Sequence, residues 1–414
     1  MFINDLTEAI KNSGIGVKYG ELIISLLLYA DDVALLAESE SDLQKLINIT
    51  YQWCSKWKTN VNITKSNVVH YQKANGTRTN FKFTYGNETL DTVSKYKYLG
   101  CFLSESLDFT VTAESLASAA GRALGGLITK FRHHNGLSFK VFAKLYNMCV
   151  IPIMNYCSGV WGVKHYQACD NISNRAIRSF LGVHRFASLP AIYGDTGWIP
   201  SHVTRKLDVL RLWNRLTCMD EHRLTKLVFL EDFNNEKKGW CNDIKKIFED
   251  IDAMHQYNNM VPVNLSSART AFIIQQKEQW NKDIKSQDKL RTYRTFKSEF
   301  GLETYVQCDL SRSERSLIAQ LRCGILPLAI ETGRYTQPRK TPVDERLCTI
   351  CKTGAVESET HFIFDCEVYR KERSLIITDN MKTFAEFISK SKTIKKCARY
   401  LTTIFNIRKY FIYK

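Results

Sequence analysis

Two adjacent acids, Asp31 and Asp32, stand inside an otherwise apolar run, LLLYADDVALLAE, from Leu26 to Glu38. No other stretch constrains the fold as tightly. Two β-rich runs, ELIISLLL and VALLAE, are separated only by YADD, the pattern of a tight antiparallel hairpin. Carboxylates on a buried hairpin lose hydration with nothing in return unless a cation or a hydrogen-bond donor compensates them. A divalent cation is the natural compensation. Oxygen donors suit Mg²⁺, which takes one or two protein carboxylates together with substrate phosphates. The plain alternative is a surface turn, because Asp favours turns in its own right.

The surroundings give the class. A short helix opens the chain. After the hairpin, Leu43, Leu46, Ile47, Trp53, Cys54 and Trp57 recur at helical spacing, and Ser39 with Asp42 resembles a capping box, so a helix of about four to five turns is expected. Residues 61–104 are rich in Val, Tyr, Phe and Thr, broken by ANG and YGN, and read as three or four antiparallel strands. After about Asp108 the pattern turns helical. SFKVFAKLYNMCVIPIMNYC is expected to kink at Pro152. Helical patterns continue through NISNRAIRSFLG, 202–230, 268–300 and SRSERSLIAQLRCG, with breaks near 186–200 and 232–260. The fold class expected is α+β.

Composition narrows the partner. The 58 Lys and Arg outnumber the 42 Asp and Glu over 414 residues, giving a net charge of +16. That balance favours a polyanion, although charge that only keeps a protein soluble reads the same way. The longest apolar run, LIISLLLYA, falls far short of the roughly 20 residues that span a bilayer. MFINDLTEAIKNSG lacks the pattern of a secretory signal, so an intracellular protein with no membrane partner is expected. Thirteen cysteines, an odd number spread over the chain, read as reduced thiols rather than a disulfide framework.

Taken in order, these motifs resemble the reverse transcriptases of non-LTR (LINE-type) retrotransposons. Tyr29-Ala30-Asp31-Asp32 resembles their palm motif, MFINDL the segment before it, and NVNITKSNVV the palm element after the helix. There Lys65 matches a lysine near the incoming nucleotide. KYLGCFL resembles the primer grip, with Tyr98, Leu99 and Gly100 at its core. LYNMCVIPIMNYCSGVWG and NRAIRSFLG look like the thumb and its following helices, with Asn155 where the family commonly has Glu.

The resemblance implies a partial polymerase palm over 1–108, of antiparallel strands plus a helix. A helical thumb over 109–230 and a basic helical linker over 231–340 would follow. It implies template-directed DNA synthesis in the complete protein, with Asp31 and Asp32 as catalytic Mg²⁺ ligands and Tyr29, Lys65 and the Tyr98–Gly100 turn at the nucleotide and primer. RNA template and DNA primer or target are the implied partners. In two-metal transfer the ions lie about 3.5–4 Å apart, more than two neighbouring carboxylates can surround. The family's upstream aspartate, its fingers and its glycine motif have no match here. The chain is therefore expected to be a C-terminal portion, inactive as a polymerase by itself and completed by a missing N-terminal half. The alternative is a non-enzymatic nucleic-acid-binding relic or domesticated protein.

CTICKTGAVESETHFIFDC supplies Cys348-x2-Cys351-x9-His361-x4-Cys366. Three thiolates and one imidazole suit tetrahedral Zn²⁺ in a closed, structural site, expected as a small module over 341–375. The resemblance agrees, since many non-LTR elements carry a Cys-Cys-His-Cys knuckle after the thumb, and Glu359 fits their common Glu-x-His pattern. KLRTYRTFKSEFG and RCGILPLAIETGRYTQPRK interleave arginine with aromatics. Arg291, Arg294, Arg322 and Arg334, with Arg175 and Arg178 of NRAIRSFLG, are candidate contacts to RNA or DNA. The opposing reading puts Tyr293 and Phe296 in a core. The tail over 376–414 carries eight basic and no acidic residues from Lys390 onward. It reads as a phosphate-binding helix or a frayed basic end.

Overall fold

The computed structural model describes residues 3–72, 76–134, 136–235, 239–376, 383–389 and 391–413. Helices dominate, and the described strands, each of two to four residues, all lie between Val17 and Ser104. The mixture is of the α+β kind. The chain forms two compact units: residues 1–115, 157–164 and 208–264, and residues 116–156, 165–207 and 265–414. No helix among the described residues is long and apolar enough to cross a membrane.

In the first unit, helix Glu40–Trp57 organises the hairpin. It runs 18 residues, or five turns, and Ser39 caps it by accepting from the Asp42 amide at 3.2 Å. Neighbouring residues on a helix point about 100° apart, so Leu46 and Ile47 serve different clusters. Leu46 packs with Leu6, Ile10 and Leu26, whereas Ile47 packs with Val68, Phe83 and Leu90. Helix Asn4–Asn12 and strand Leu26–Tyr29 are thereby held on one side, and the later strands on the other.

The strands depart from expectation in two ways. ELIISLLL is not one strand. Leu22–Ile24 pairs back on Val17–Tyr19, and only Leu26–Tyr29 pairs with Asp32–Leu35. Buried Ser25 divides the two, its carbonyl accepting from the Leu36 amide at 2.8 Å. The described residues of 61–104 form six short strands, and Asn67–Val68 pairs with Asp91–Thr92 in parallel rather than antiparallel. Turn-forming residues interrupt the β-formers so often that no ladder exceeds four pairs. Residues 73–75 of that stretch lie outside the described residues.

The 232–260 region, expected to be a break, holds helices Trp240–Asp250 and Met254–Asn258. They pack on Trp213, whose ring stacks on Tyr257 and meets Phe229 and Phe248 edge-on. Its indole N–H donates to the Val261 carbonyl at 3.0 Å.

In the second unit, helix Phe139–Cys149 stops at Val150 and restarts as Ile151–Met154, with Pro152 in its first turn, as the kink requires. Helix Gln167–Leu181 ends on Gly182 at φ 71°, the left-handed terminus that glycine adopts most readily. Helix Leu189–Thr196 occupies the second expected break. The described part of the tail is helical rather than frayed. Helix Ser391–Tyr413 buries Ile394, Ala398, Tyr400, Leu401 and Ile404, and Arg408 donates to Glu357 at 2.7 and 2.9 Å. Lys395, Lys396, Arg399 and Lys409 are exposed on an amphipathic helix whose other face is core.

Candidate functional site

The two acids sit at the tip of the hairpin. Tyr29 pairs with Asp32 across the ladder, leaving Ala30 and Asp31 as the turn. Ala30 adopts φ 54°, a left-handed conformation that costs a residue with a Cβ about 1–2 kcal/mol. Leu99 does the same, at φ 46°, beside Gly100 at φ 88°, in the turn between Lys95–Tyr98 and Cys101–Ser104. Two strained tips in one unit are features the sequence periodicity did not reveal.

Burial differs from expectation. Asp31 and Asp32 are exposed, and so are Leu27, Leu28, Tyr29 and Val33, with Tyr29 at 64%. Only Leu26 of that strand is buried. The carboxylates therefore keep their hydration in this chain, and the apolar flank presents an uncovered face. Among the described residues, no third His, Cys, Asp or Glu joins Asp31 or Asp32 within 4.8 Å. Two carboxylates on one tip fit a single hard cation with a phosphate, not two ions.

Tyr98 is within electrostatic reach of Asp32. Burial, and after it the Asp32 charge, raises its hydroxyl above the usual tyrosine range. Lys65 is exposed, and its carbonyl accepts from the Tyr96 hydroxyl at 2.9 Å, which ties its backbone to the strand carrying Tyr98.

The four zinc-type residues converge. One ligand atom each from Cys348, Cys351, His361 and Cys366 lies within 4.8 Å of the others, with Cys351 Sγ 3.5 Å from His361 Nε2. Bonds of about 2.0–2.3 Å to a tetrahedral ion put ligands roughly 3.3–3.8 Å apart, so the donors fit with little movement. Cys348, His361 and Cys366 are buried. Lys352 and Gly354, at φ 55° and 79°, turn the chain so that Cys348 N–H donates to the Ala355 carbonyl at 2.8 Å. Burial pushes the Cys348 and Cys366 thiols up, the latter to about 12. Burial acts the same way on Cys351, but hydrogen bonds led by Thr353 outweigh it and bring that thiol below its usual value. With four protein donors, such a site is closed to substrate.

Glu359 is also buried, and it receives Arg291 Nη2 at 2.9 Å through both oxygens, while Arg291 Nη1 holds Glu331 at 2.8 Å. Arg334 pairs with the same Glu331 at 3.2 Å. Arg322 is 3% exposed and spans Asp195, with Glu303 3.2 Å away. Its guanidinium has no face left for a polyanion, which corrects the expectation that it contacts nucleic acid. Tyr293 is fully buried, as the core reading requires, and Arg294 is exposed, donating to the Lys285 carbonyl at 2.8 Å.

Arg175 and Arg178, three residues apart on one helical face, line a cleft of about 460 Å³. Arg132, His184, Arg185 and Arg312, which sequence reasoning missed, line it with them, and no carboxylate does. None of Arg132, Arg175, Arg185 and Arg312 forms an ion pair among the described residues. Burial first, then the charges of Lys289 and Arg178, hold the His184 imidazole below its usual range. Concentrated positive charge without internal compensation attracts an anion.

Residues 1–103 match the family described as reverse transcriptase (RNA-dependent DNA polymerase). An RNA-directed DNA polymerase from the mobile element jockey of Drosophila funebris is 28% identical over 159 residues, covering 37% of this chain and 17% of that protein. A retrovirus-related Pol polyprotein from the type-1 retrotransposable element R1 of Nasonia vitripennis is 24% identical over 192 residues, covering 43% and 47%. A transposon-derived protein of Caenorhabditis elegans is 25% identical over 135 residues, covering 33% and 48%. The matched region spans about half the length of these relatives, or less. The first 103 residues thus match part of a reverse transcriptase domain, and the chain is similar to proteins of the jockey and R1 retrotransposable elements.

Proposed function

We propose that this chain is the palm-to-knuckle portion of a retrotransposon reverse transcriptase. In the complete protein it serves Mg²⁺-dependent, template-directed DNA synthesis on an RNA template. The observation that carries the reading is the placement of Asp31 and Asp32 at an exposed, strained hairpin tip, with Asp32 within electrostatic reach of Tyr98. Asp31 and Asp32 would hold Mg²⁺, which when bound stabilises charge on the attacking 3′ oxygen and the departing pyrophosphate. Tyr29 would lie against the nucleotide, and the Tyr98–Gly100 turn would hold the primer end. Lys65 would place an ammonium where the pyrophosphate leaves. A further carboxylate from outside the described residues would complete the pair. The uncovered face formed by Leu27, Leu28 and Val33 suits the strand that brings it.

In the same reading, residues 1–108 are palm, 109–230 thumb, 231–340 linker, 341–375 a Zn²⁺ module and 376–414 a tail that supports the module. The arginine cleft at Arg175 and Arg178 takes the phosphates of RNA or DNA. A second reading, nucleic-acid binding without catalysis, is favoured by the same cleft and by the two-carboxylate site. Titration with Mn²⁺ followed by electron paramagnetic resonance tests the first. A Mg²⁺-displaceable Mn²⁺ signal lost in Asp31→Ala and Asp32→Ala supports it, and a signal unchanged in both removes the metal-holding role.

A further inference from the structure

His165, Asp170 and His202 lie in the second unit, apart from the hairpin, the cysteine module and the arginine cleft. His165 stands two residues before helix Gln167–Leu181, and Asp170 is in that helix's first turn. His202 is in the first turn of helix Ser201–Thr217. The two helix starts meet so that one ligand atom from each of the three side chains lies within 4.8 Å of the others. His165 Nε2 contacts Asp170 Oδ2, and the two imidazole rings are 5.8 Å apart.

Two details distinguish this cluster from an ordinary ion pair. The buried Nδ1 of His202 has no hydrogen-bond partner among the described residues. A buried polar nitrogen left unsatisfied is rare in native structures, and a bound ion or ligand is one of the few remedies. The second detail is the way Asp170 is held. Its Oδ1 accepts from the Ser201 hydroxyl at 2.6 Å, and Ser201 in turn accepts from fully buried Arg205 at 3.1 Å. Metal-binding carboxylates are commonly oriented by such outer hydrogen bonds, with the second oxygen left to the ion.

We propose that His165, Asp170 and His202 form a second metal site, an open three-ligand centre for Zn²⁺. Two imidazoles and one carboxylate match the donors of open zinc sites, whereas Mg²⁺ and Ca²⁺ prefer all-oxygen sets. The His165 side chain is 60% exposed, so the remaining coordination position faces water. The ion ties together the starts of two helices that the sequence separates by a loop and a further helix. Arg205 lies 3.9 Å from Asp170 Oδ1, and Lys206 is within electrostatic reach of His202. Both oppose a cation, so this site binds Zn²⁺ more weakly than the thiolate site and loses it first to a chelator.

The test uses tag-free full chain, loaded with Zn²⁺, exchanged into metal-free buffer and analysed for metal. The proposal expects two equivalents in the wild type and one in His165→Ala, in His202→Ala and in Cys351→Ser. With Co²⁺ as probe, Cys351→Ser retains a nitrogen- and oxygen-ligated spectrum that is absent from the double variant Cys351→Ser/His165→Ala. A single equivalent in the wild type overturns the proposal, and so do two equivalents unchanged in His165→Ala. His165 is exposed, so its variant keeps the test readable if His202→Ala fails to fold.

Discussion

Arg322 and Asp195 lie against each other in the interior of the second unit, with Nε 2.7 Å from Oδ2 and Nη2 2.7 Å from Oδ1. The Tyr293 and Tyr305 hydroxyls donate to the same carboxylate at 3.0 and 2.9 Å, so each oxygen is satisfied twice. A buried pair this completely bonded specifies one packing of helices Leu189–Thr196 and Arg312–Arg322. Breaking it from one side leaves a buried charge with no counter-ion. Arg322→Gln is expected to lower stability by about 3–5 kcal/mol in urea denaturation. RNA affinity, measured where the variant is still folded, stays within error of the wild type.

The arginine cleft gives the opposite outcome. Arg175 is exposed and bears no ion pair among the described residues, so Arg175→Gln removes charge without disturbing the core. For a single strand, leaving one more phosphate unneutralised reduces the slope of log affinity against log salt by about 0.7. Fluorescence anisotropy with a single-stranded RNA at several salt concentrations should show that drop in Arg175→Gln and again in Arg312→Gln. Thermal stability should be unaltered.

Metal binding at the cysteine module is expected to weaken as pH falls. Burial raises the Cys348 and Cys366 thiols, so without the ion both are protonated near neutrality and each must release its proton to solvent when its thiolate binds Zn²⁺. Burial also depresses His361, which is therefore neutral near pH 7 and releases none. Calorimetry in buffers of different ionisation enthalpy should reveal proton release on Zn²⁺ binding. Competition with a chelator should show affinity falling from about pH 8 to about pH 6.

The tail helix is expected to behave as core. Leu401 is fully buried, and Leu401→Ala should cost about 2–5 kcal/mol in denaturation. Lys409→Gln, on the exposed side of the same helix, should change stability by less than about 0.5 kcal/mol.

What could be read in the sequence was local. The turn at Ala30 and Asp31, the cap at Ser39, the break before Pro152 and the spacing of Cys348 and Cys351 each lie within a few residues of the feature they specify. The role of Arg322 was not local, because its partner Asp195 is 127 positions away and the arginine itself sits among aromatics that suit RNA equally well. Helix Leu189–Thr196 escaped for a related reason. It carries Gly194 and the charged Asp195, both poor interior choices, and tertiary bonds to Arg322, Tyr293 and Tyr305 override that local preference. The cleft shows the same limit. Arg175 and Arg178 announce one helical face, while Arg132 and Arg312 join them only through packing.

The most direct test of the central claim is primer extension by the purified chain and by Asp31→Ala, with an RNA template, a DNA primer, dNTPs and Mg²⁺. RNA binding is measured on the same preparations. The account predicts that both proteins bind RNA and that neither extends the primer, because two carboxylates on one hairpin tip cannot hold both ions. Template-directed synthesis by the wild-type chain, abolished in Asp31→Ala, would contradict it.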